Sequence, residues 1–239
     1  GLANDAMSIT FGRQFTFFMD KGLKYGSGHV NGKYDAGMAN MSHLRGDYLV
    51  VGLKSVPVRI ILGMNNYNGS NDATGDQYQE TSFGVKYDLN MDALALTVSY
   101  NSQSRAIDAE YGDAYEKSAD DGYAASDIGL AVQYAISDMM AAGLNYGSGS
   151  KQTGIENADP STTSIMELFF DMGLGNDMGI SVMYHTKSVD TGDDNPTANT
   201  RLSFDFEKKM GVVKAYVEYQ SNTAKDDDSG LDSSDSKLG

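Results

Sequence analysis

The chain has 239 residues, with 18 basic side chains against 33 acidic ones and a net charge of −15. A nucleic-acid surface needs clustered Lys and Arg, so so acidic a balance argues against one. The absence of cysteine excludes disulfides, thiolate metal sites and cysteine nucleophiles.

Glycine (27 residues) and tyrosine (15) are abundant, proline (3) is scarce and tryptophan is absent. That composition suits strands better than helices. No stretch approaches the run of about eighteen apolar residues that a membrane helix needs. A membrane β-barrel leaves no such run, because its strands show only every second residue to lipid.

In chain order, the first alternating segment is Ser8–Phe18, "SITFGRQFTFF", followed by a glycine-rich, irregular stretch to about Leu44. Five hairpin units follow. They cover Asp47–Asn65 with a turn at Ser55–Pro57, Ser82–Asn101 with a turn at Asp88–Asp92, and Asp127–Tyr146 with a turn near Ser137–Asp138. The last two are Ser164–His185, turning at Gly173–Asp177, and Thr200–Gln220, turning at Lys208–Gly211. The pattern predicts one domain over residues 1–239 with about eleven strands of roughly seven to ten residues, a length suited to tilted membrane strands.

The alternation separates charge from apolarity. One face carries Leu49, Val51, Leu53, Phe83, Val85, Leu94, Leu96, Val98, Leu144, Leu168, Val182, Phe204 and Val217, with no charge among them. The other carries Arg59, Lys86, Thr97, Gln133, Asn145, Glu167, Asp171, Ser181, His185, Arg201, Asp205, Glu207, Lys214 and Glu218. Period two with every charge on one side predicts sheets with an apolar face and a wet face. A soluble sandwich also alternates, with its apolar face as core, but it would not enclose so many charges. Short and long connections alternate strictly, and Tyr100, Tyr146, Tyr184 and Tyr219 stand beside the long loops, with Tyr87, Tyr134 and Phe206 beside the short turns. Rings at both edges of an apolar band are the girdles of a membrane barrel. The expected fold is all-β, a transmembrane antiparallel up-and-down β-barrel.

Gly12-Arg13-Gln14, the irregular stretch to about Leu44, and Arg45-Gly46 before "DYLVVGLK" resemble the general porins of Gram-negative outer membranes. In that family Gly-Arg-Gln or Gly-Arg-Asn ends the fifth strand, which feeds a long third loop folded into the lumen as a constriction. An Arg-Gly pair then opens the sixth strand. The resemblance implies a sixteen-stranded homotrimer in the outer membrane, in contact with lipid and lipopolysaccharide. It also implies that this chain is an incomplete barrel, with four strands before Gly1 and one after Gly239 absent; the alternative is a smaller even-stranded barrel with irregular ends. Small residues such as Ala142, Ala215 and Gly52 are candidates for letting barrels approach one another.

For the pore constriction the expected positive residues are Arg13, Arg45, Arg59, Lys86 and Arg201, with Lys21 and Lys24 on the loop. Asp20 and Asp35 are the loop acids facing Arg13, and Glu167, Asp171, Asp205, Glu207 and Glu218 are acids of the wall. Opposed charges lining a lumen set up a transverse field that orients water and discourages apolar solutes. The loop departs from the family in its weak acidic cluster, so cation preference does not carry over. The segments Ala106–Asp127 and Ala224–Asp235 are strongly acidic, suited to a cation-attracting vestibule or to divalent ions bridging to lipopolysaccharide.

Catalysis finds little support. His29, His43 and His185 are far apart and form no metal-ligand spacing, and the glycine-rich "GSGHVNG" and "GSGSKQTG" lack the strand–loop–helix setting of a phosphate loop. The expected function is a porin passing ions and small hydrophilic solutes passively, without cofactor, metal or reaction. The alternative is a barrel acting as scaffold or sheath for a partner protein, which would need a wider lumen and no constricting loop.

Overall fold

The computed structural model describes residues 1–15, 45–68, 77–107, 123–153, 160–191, 197–226 and 231–238. They form thirteen strands. These are β1 (Leu2–Ala3), β2 (Met7–Phe15), β3 (Arg45–Leu53), β4 (Val58–Asn68), β5 (Gln77–Met91), β6 (Leu94–Ile107) and β7 (Tyr123–Ser137). The rest are β8 (Met140–Thr153), β9 (Ser161–Gly175), β10 (Met178–Asp190), β11 (Thr197–Met210), β12 (Val213–Asp226) and β13 (Leu231–Leu238). Each pairs antiparallel with its neighbours in sequence, giving one sheet in the order β1 to β13. This is the up-and-down topology expected from the repeated hairpins. Nearest-neighbour connections satisfy every ladder locally, and no crossover is needed.

Short turns close one end of the sheet. The β9–β10 turn is Asn176–Asp177, both with positive φ (51° and 60°). That is the primed geometry whose twist matches a two-residue hairpin, and Asn and Asp tolerate it. Asp88, expected in a turn, lies within β5, because the β5–β6 ladder runs on through Asp88↔Thr97 to Met91↔Leu94.

The strands are longer than the alternation predicts: β5 to β12 have 13 to 15 residues each. Nine to eleven residues suffice for a tilted membrane strand. The girdle tyrosines are therefore not at strand ends. Past Tyr100, Tyr146, Tyr184 and Tyr219 the strands continue to Ile107, Thr153, Asp190 and Asp226. In these extensions the outward positions become hydroxyls, such as Ser104, Ser150, Ser188 and Thr223. Apolar alternation fades there while the backbone ladder continues. The acidic segment from Ala224 is likewise in part strand, with Thr223↔Ser234 and Asp226↔Leu231 pairing β12 to β13.

Burial is inverted relative to a soluble sheet. The charged face is the shielded one: Asp205 and Glu218 have no exposure, Asp171 1% and Glu167 2%. On the apolar face Leu168 is 47% exposed, Leu202 49% and Val217 49%. Side chains on the concave side of a curved sheet converge and cover one another, so the polar face is the inner one. Apolar residues in contact with water on this scale would be a large liability; against lipid they are at home.

Two inward aromatic rings pack directly over glycines. A Cβ on Gly143 would stand 2.1 Å from Phe169 Cζ, and one on Gly63 would stand 2.5 Å from Tyr48 Cδ1. Phe169 packs with Met183, and Tyr48 with Ile61 and Val50, as two small apolar islands in the polar face. Gly52 is buried on this inner face, in register with Ser8 and Arg59. It is therefore not a point of approach between barrels.

Candidate functional site

The inner wall is divided by charge. On β4 and β5, Arg59 Nη2 lies 2.7 Å from Asp88 Oδ2, and Lys86 Nζ lies 3.6 Å from Asp88 Oδ1. Thr97 on β6 donates its hydroxyl to Asp88 Oδ1 at 2.7 Å. Two cations thus share one carboxylate, so these three side chains together are net positive. The register builds the cluster: Arg59↔Lys86 pair across β4–β5, and Asp88↔Thr97 across β5–β6.

The inner face of β6 to β8 is mainly neutral. Thr97, Ser99, Asn101, Gln103 and Asn145 are buried there, beside Ala131 and the glycines Gly129 and Gly147. Asp127 and Lys151 stand towards its long-loop end, Asp127 folded so closely over Gly149 that a Cβ there would overlap its carboxylate.

The acids gather on β9 to β12. One lateral row runs Asn145, Glu167, His185, Arg201 over β8 to β11. Asn145 Nδ2 donates to Glu167 Oε2 at 3.1 Å, and His185 Nδ1 lies 2.9 Å from Glu167 Oε1. Nearer the short turns, a second row runs Asp171, Ser181, Asp205, Glu218 over β9 to β12. Ser181 donates its hydroxyl to Asp171. Beyond it, Lys214 Nζ lies 2.5 Å from Glu207 Oε2. Among the described residues of this half, Glu167, Asp171, Asp205, Glu207 and Glu218 share the inner face with Lys187, Arg201, Lys209 and Lys214, with His185 beside Glu167, so acids exceed the permanent cations by one and gather in the second row. Register builds both clusters, since the ladders set Arg59 beside Lys86 and Asp205 beside Glu218.

The residues expected at a constriction separate into three groups. Arg59 and Lys86 come together at Asp88. Arg201 does not join them: six strand spacings from Lys86, about 29 Å along the sheet, it lies opposite His185 in the acidic half. Arg13 and Arg45 lie on paired strands, Arg13↔Asp47 and Phe15↔Arg45, with side chains outside the described residues, as are Asp20, Lys21, Lys24 and Asp35 entirely. Pairing does not stop at Gly12. The ladder continues through Phe15, and Gly12 takes up a φ of 127° within it, a value a residue with a side chain rarely adopts. Among the described residues, no group of His, Cys, Asp and Glu has the arrangement of a metal site.

Asp88 as the shared acid and Glu167 as the partner of His185 do not stand out in the sequence. Their signal is hairpin arithmetic, because partners along one ladder have residue numbers with a constant sum. A bulge at Met178/Gly179 shifts the β9–β10 ladder by one residue, which puts Glu167 opposite His185 only once the bulge is known.

An antiparallel up-and-down sheet with an apolar exterior and a charged, shielded interior is the fold of an outer-membrane β-barrel. Among solved structures, the chain is similar to OmpT (in-vitro folded), an outer membrane protein of Vibrio cholerae, with a TM-score of 0.57 at 11% identity over 91% of this chain. The match covers 66% of that protein, so this chain spans just under two thirds of its length. No protein-family model and no curated protein matches the sequence. The likeness is one of fold.

Proposed function

We propose that the protein is an outer-membrane porin, a water-filled channel for passive diffusion of ions and small hydrophilic solutes. The observation that carries this reading is the inverted burial. Charged, amide and hydroxyl side chains from β5 to β12 fill the shielded face, and lipid-suited side chains fill the other. Water is the natural filling for an interior so rich in charge, because taking each carboxylate out of water into a dry core would cost several kcal/mol of desolvation. The positive patch at Arg59 and Lys86 and the negative rows of β9 to β12 then face a common aqueous space. A field across that space favours small polar solutes over apolar ones.

On this reading the protein works in the bacterial outer membrane, in contact with lipid and lipopolysaccharide, as a homotrimer that carries out no reaction and needs no cofactor. The chain forms one porin-like β-barrel domain. Arg13 lines its constriction, with Asp47 as its register partner on the wall. The test is a planar-bilayer recording of the purified full-length protein. Stepwise, ohmic current increments with a size that follows salt conductivity are expected. A bilayer that stays silent while the protein is inserted would rule out the channel. Mass measurement in mild detergent gives the trimer, or removes it.

A further inference from the structure

The outer face carries a feature that a channel does not use. Towards the long loops, a recess of about 500 Å³ opens across β5 to β9, lined by Thr81, Phe83, Ser104, Ser126, Ser150 and Gln152 among others. Among the described residues, none that lines it is charged. Its hydroxyls are arranged in cross-strand pairs: Thr81 Oγ1 lies 2.8 Å from Ser104 Oγ, and Ser126 Oγ lies 3.4 Å from Ser150 Oγ. At its lower edge stand Phe83 and Tyr100, with ring centroids 6.4 Å apart and rings 42% and 43% exposed. Below them the outward positions Val85, Val98 and Leu130 continue the apolar band.

We propose that this recess binds the saccharide head of a membrane-anchored, uncharged glycolipid. A hydroxyl both donates and accepts, so an array of Ser and Thr matches a sugar, each of whose hydroxyls does the same. A sugar ring also has an apolar C–H face, which the exposed faces of Phe83 and Tyr100 suit. Phosphate heads are recognised through Arg, Lys or converging N–H groups, and the described lining of the recess supplies no cation. Its place at the upper edge of the lipid-facing stripe lets acyl chains run down Val98 and Leu130 while the head stays among the hydroxyls. The volume is of ordinary ligand-site size. The proposal rests on the membrane reading of the outer face, not on the channel.

The test is native mass spectrometry of the full-length protein taken from bilayers of mixed composition. Monoglucosyl diacylglycerol competes there with phosphatidylethanolamine and phosphatidylglycerol of the same acyl chains. Wild type should retain the glucosyl lipid over phosphatidylethanolamine by about fivefold or more, as a few net hydrogen bonds allow. The double variant Thr81→Val/Ser150→Ala should lose most of that preference, while Ser188→Ala, a hydroxyl on the same face away from the recess, should keep it. Single-channel conductance should be unchanged in both. Equal retention of the glucosyl and ethanolamine lipids by wild type, or an undiminished preference in the double variant, overturns the proposal. So does stronger retention of phosphatidylglycerol, or displacement of the bound lipid by free maltose. A protein that fails to enter the bilayer overturns it together with the membrane reading; one that enters but passes no current removes only the channel.

Discussion

His185 Nδ1 lies 2.9 Å from Glu167 Oε1, on adjacent strands of the wall, with both side chains almost wholly shielded. Asn145 holds the other oxygen of the same carboxylate. One acid therefore satisfies polar groups from the strands on either side, stitching β8, β9 and β10 together where no apolar core exists to do so. Glu167→Leu leaves the imidazole and the amide without their acceptor in a buried place, which should cost on the order of 3 kcal/mol. Glu167→Gln retains a carbonyl acceptor and should lose clearly less. Urea midpoints of the folded protein in lipid vesicles, followed by tyrosine fluorescence, measure both.

Gly143 is required for close approach. An added Cβ would meet Phe169 Cζ at 2.1 Å and the carbonyl oxygen of Val132 at 2.7 Å. The ring can swing away, but the neighbouring strand's backbone cannot without disturbing the β7–β8 ladder. Gly143→Ala should therefore destabilise the protein by roughly 1–3 kcal/mol, the range for overpacking. Phe169→Leu added to it should restore only part of the loss. Full recovery in the double variant would place the whole clash on the ring.

The lipid-facing band should show a depth profile. Arg in place of Leu96 or Val182, well inside the band, should cost roughly 2–4 kcal/mol, and Ser188→Arg, in the extension beyond Tyr184, about 1 kcal/mol or less. The pair separates the hydrocarbon-facing strand from its projecting part. Equal costs at the two depths, measured as stability in the same bilayer, would contradict the placement of the girdle.

The faces of the sheet were legible because two solvents act on alternate residues. Leu168 and Glu167 are neighbours in sequence, yet one is half exposed on the apolar side and the other buried on the wall. Strand length was not legible, because beyond the girdle the outer face is also wet. From Ser102 to Ile107, or from Ser148 to Thr153, hydropathy no longer alternates, while backbone hydrogen bonds extend the ladder regardless of side chain. "LDSSDSKL" reads as an acidic loop for the same reason, yet it pairs with β12 over its whole length. Charge sign by strand was visible in the sequence; which charges meet was not. The bulges at Ala135/Ser137 and Met178/Gly179 shift register by a residue, and only the folded backbone reveals them.

Asp88 should control the sign of the positive patch. Its carboxylate takes Arg59 on one oxygen and Lys86 with Thr97 on the other, so these three ionised side chains together carry one positive unit. Asp88→Asn raises it to two while preserving an acceptor for Thr97 and the shape of the side chain. Charge–charge effects weaken with salt over a Debye length of about 10 Å at 0.1 M, so the change should be clearest in dilute electrolyte. The reversal potential in a KCl gradient should move towards the chloride value. Lys86→Gln, which removes a charge from the same patch, should move it the other way. Asp205→Asn, across the wall in the acidic rows, should also shift it towards chloride, because the two halves act on one aqueous space. Identical reversal potentials for wild type, Asp88→Asn and Lys86→Gln would mean that ions do not pass this wall, and the channel reading would fall while the β-barrel fold remained.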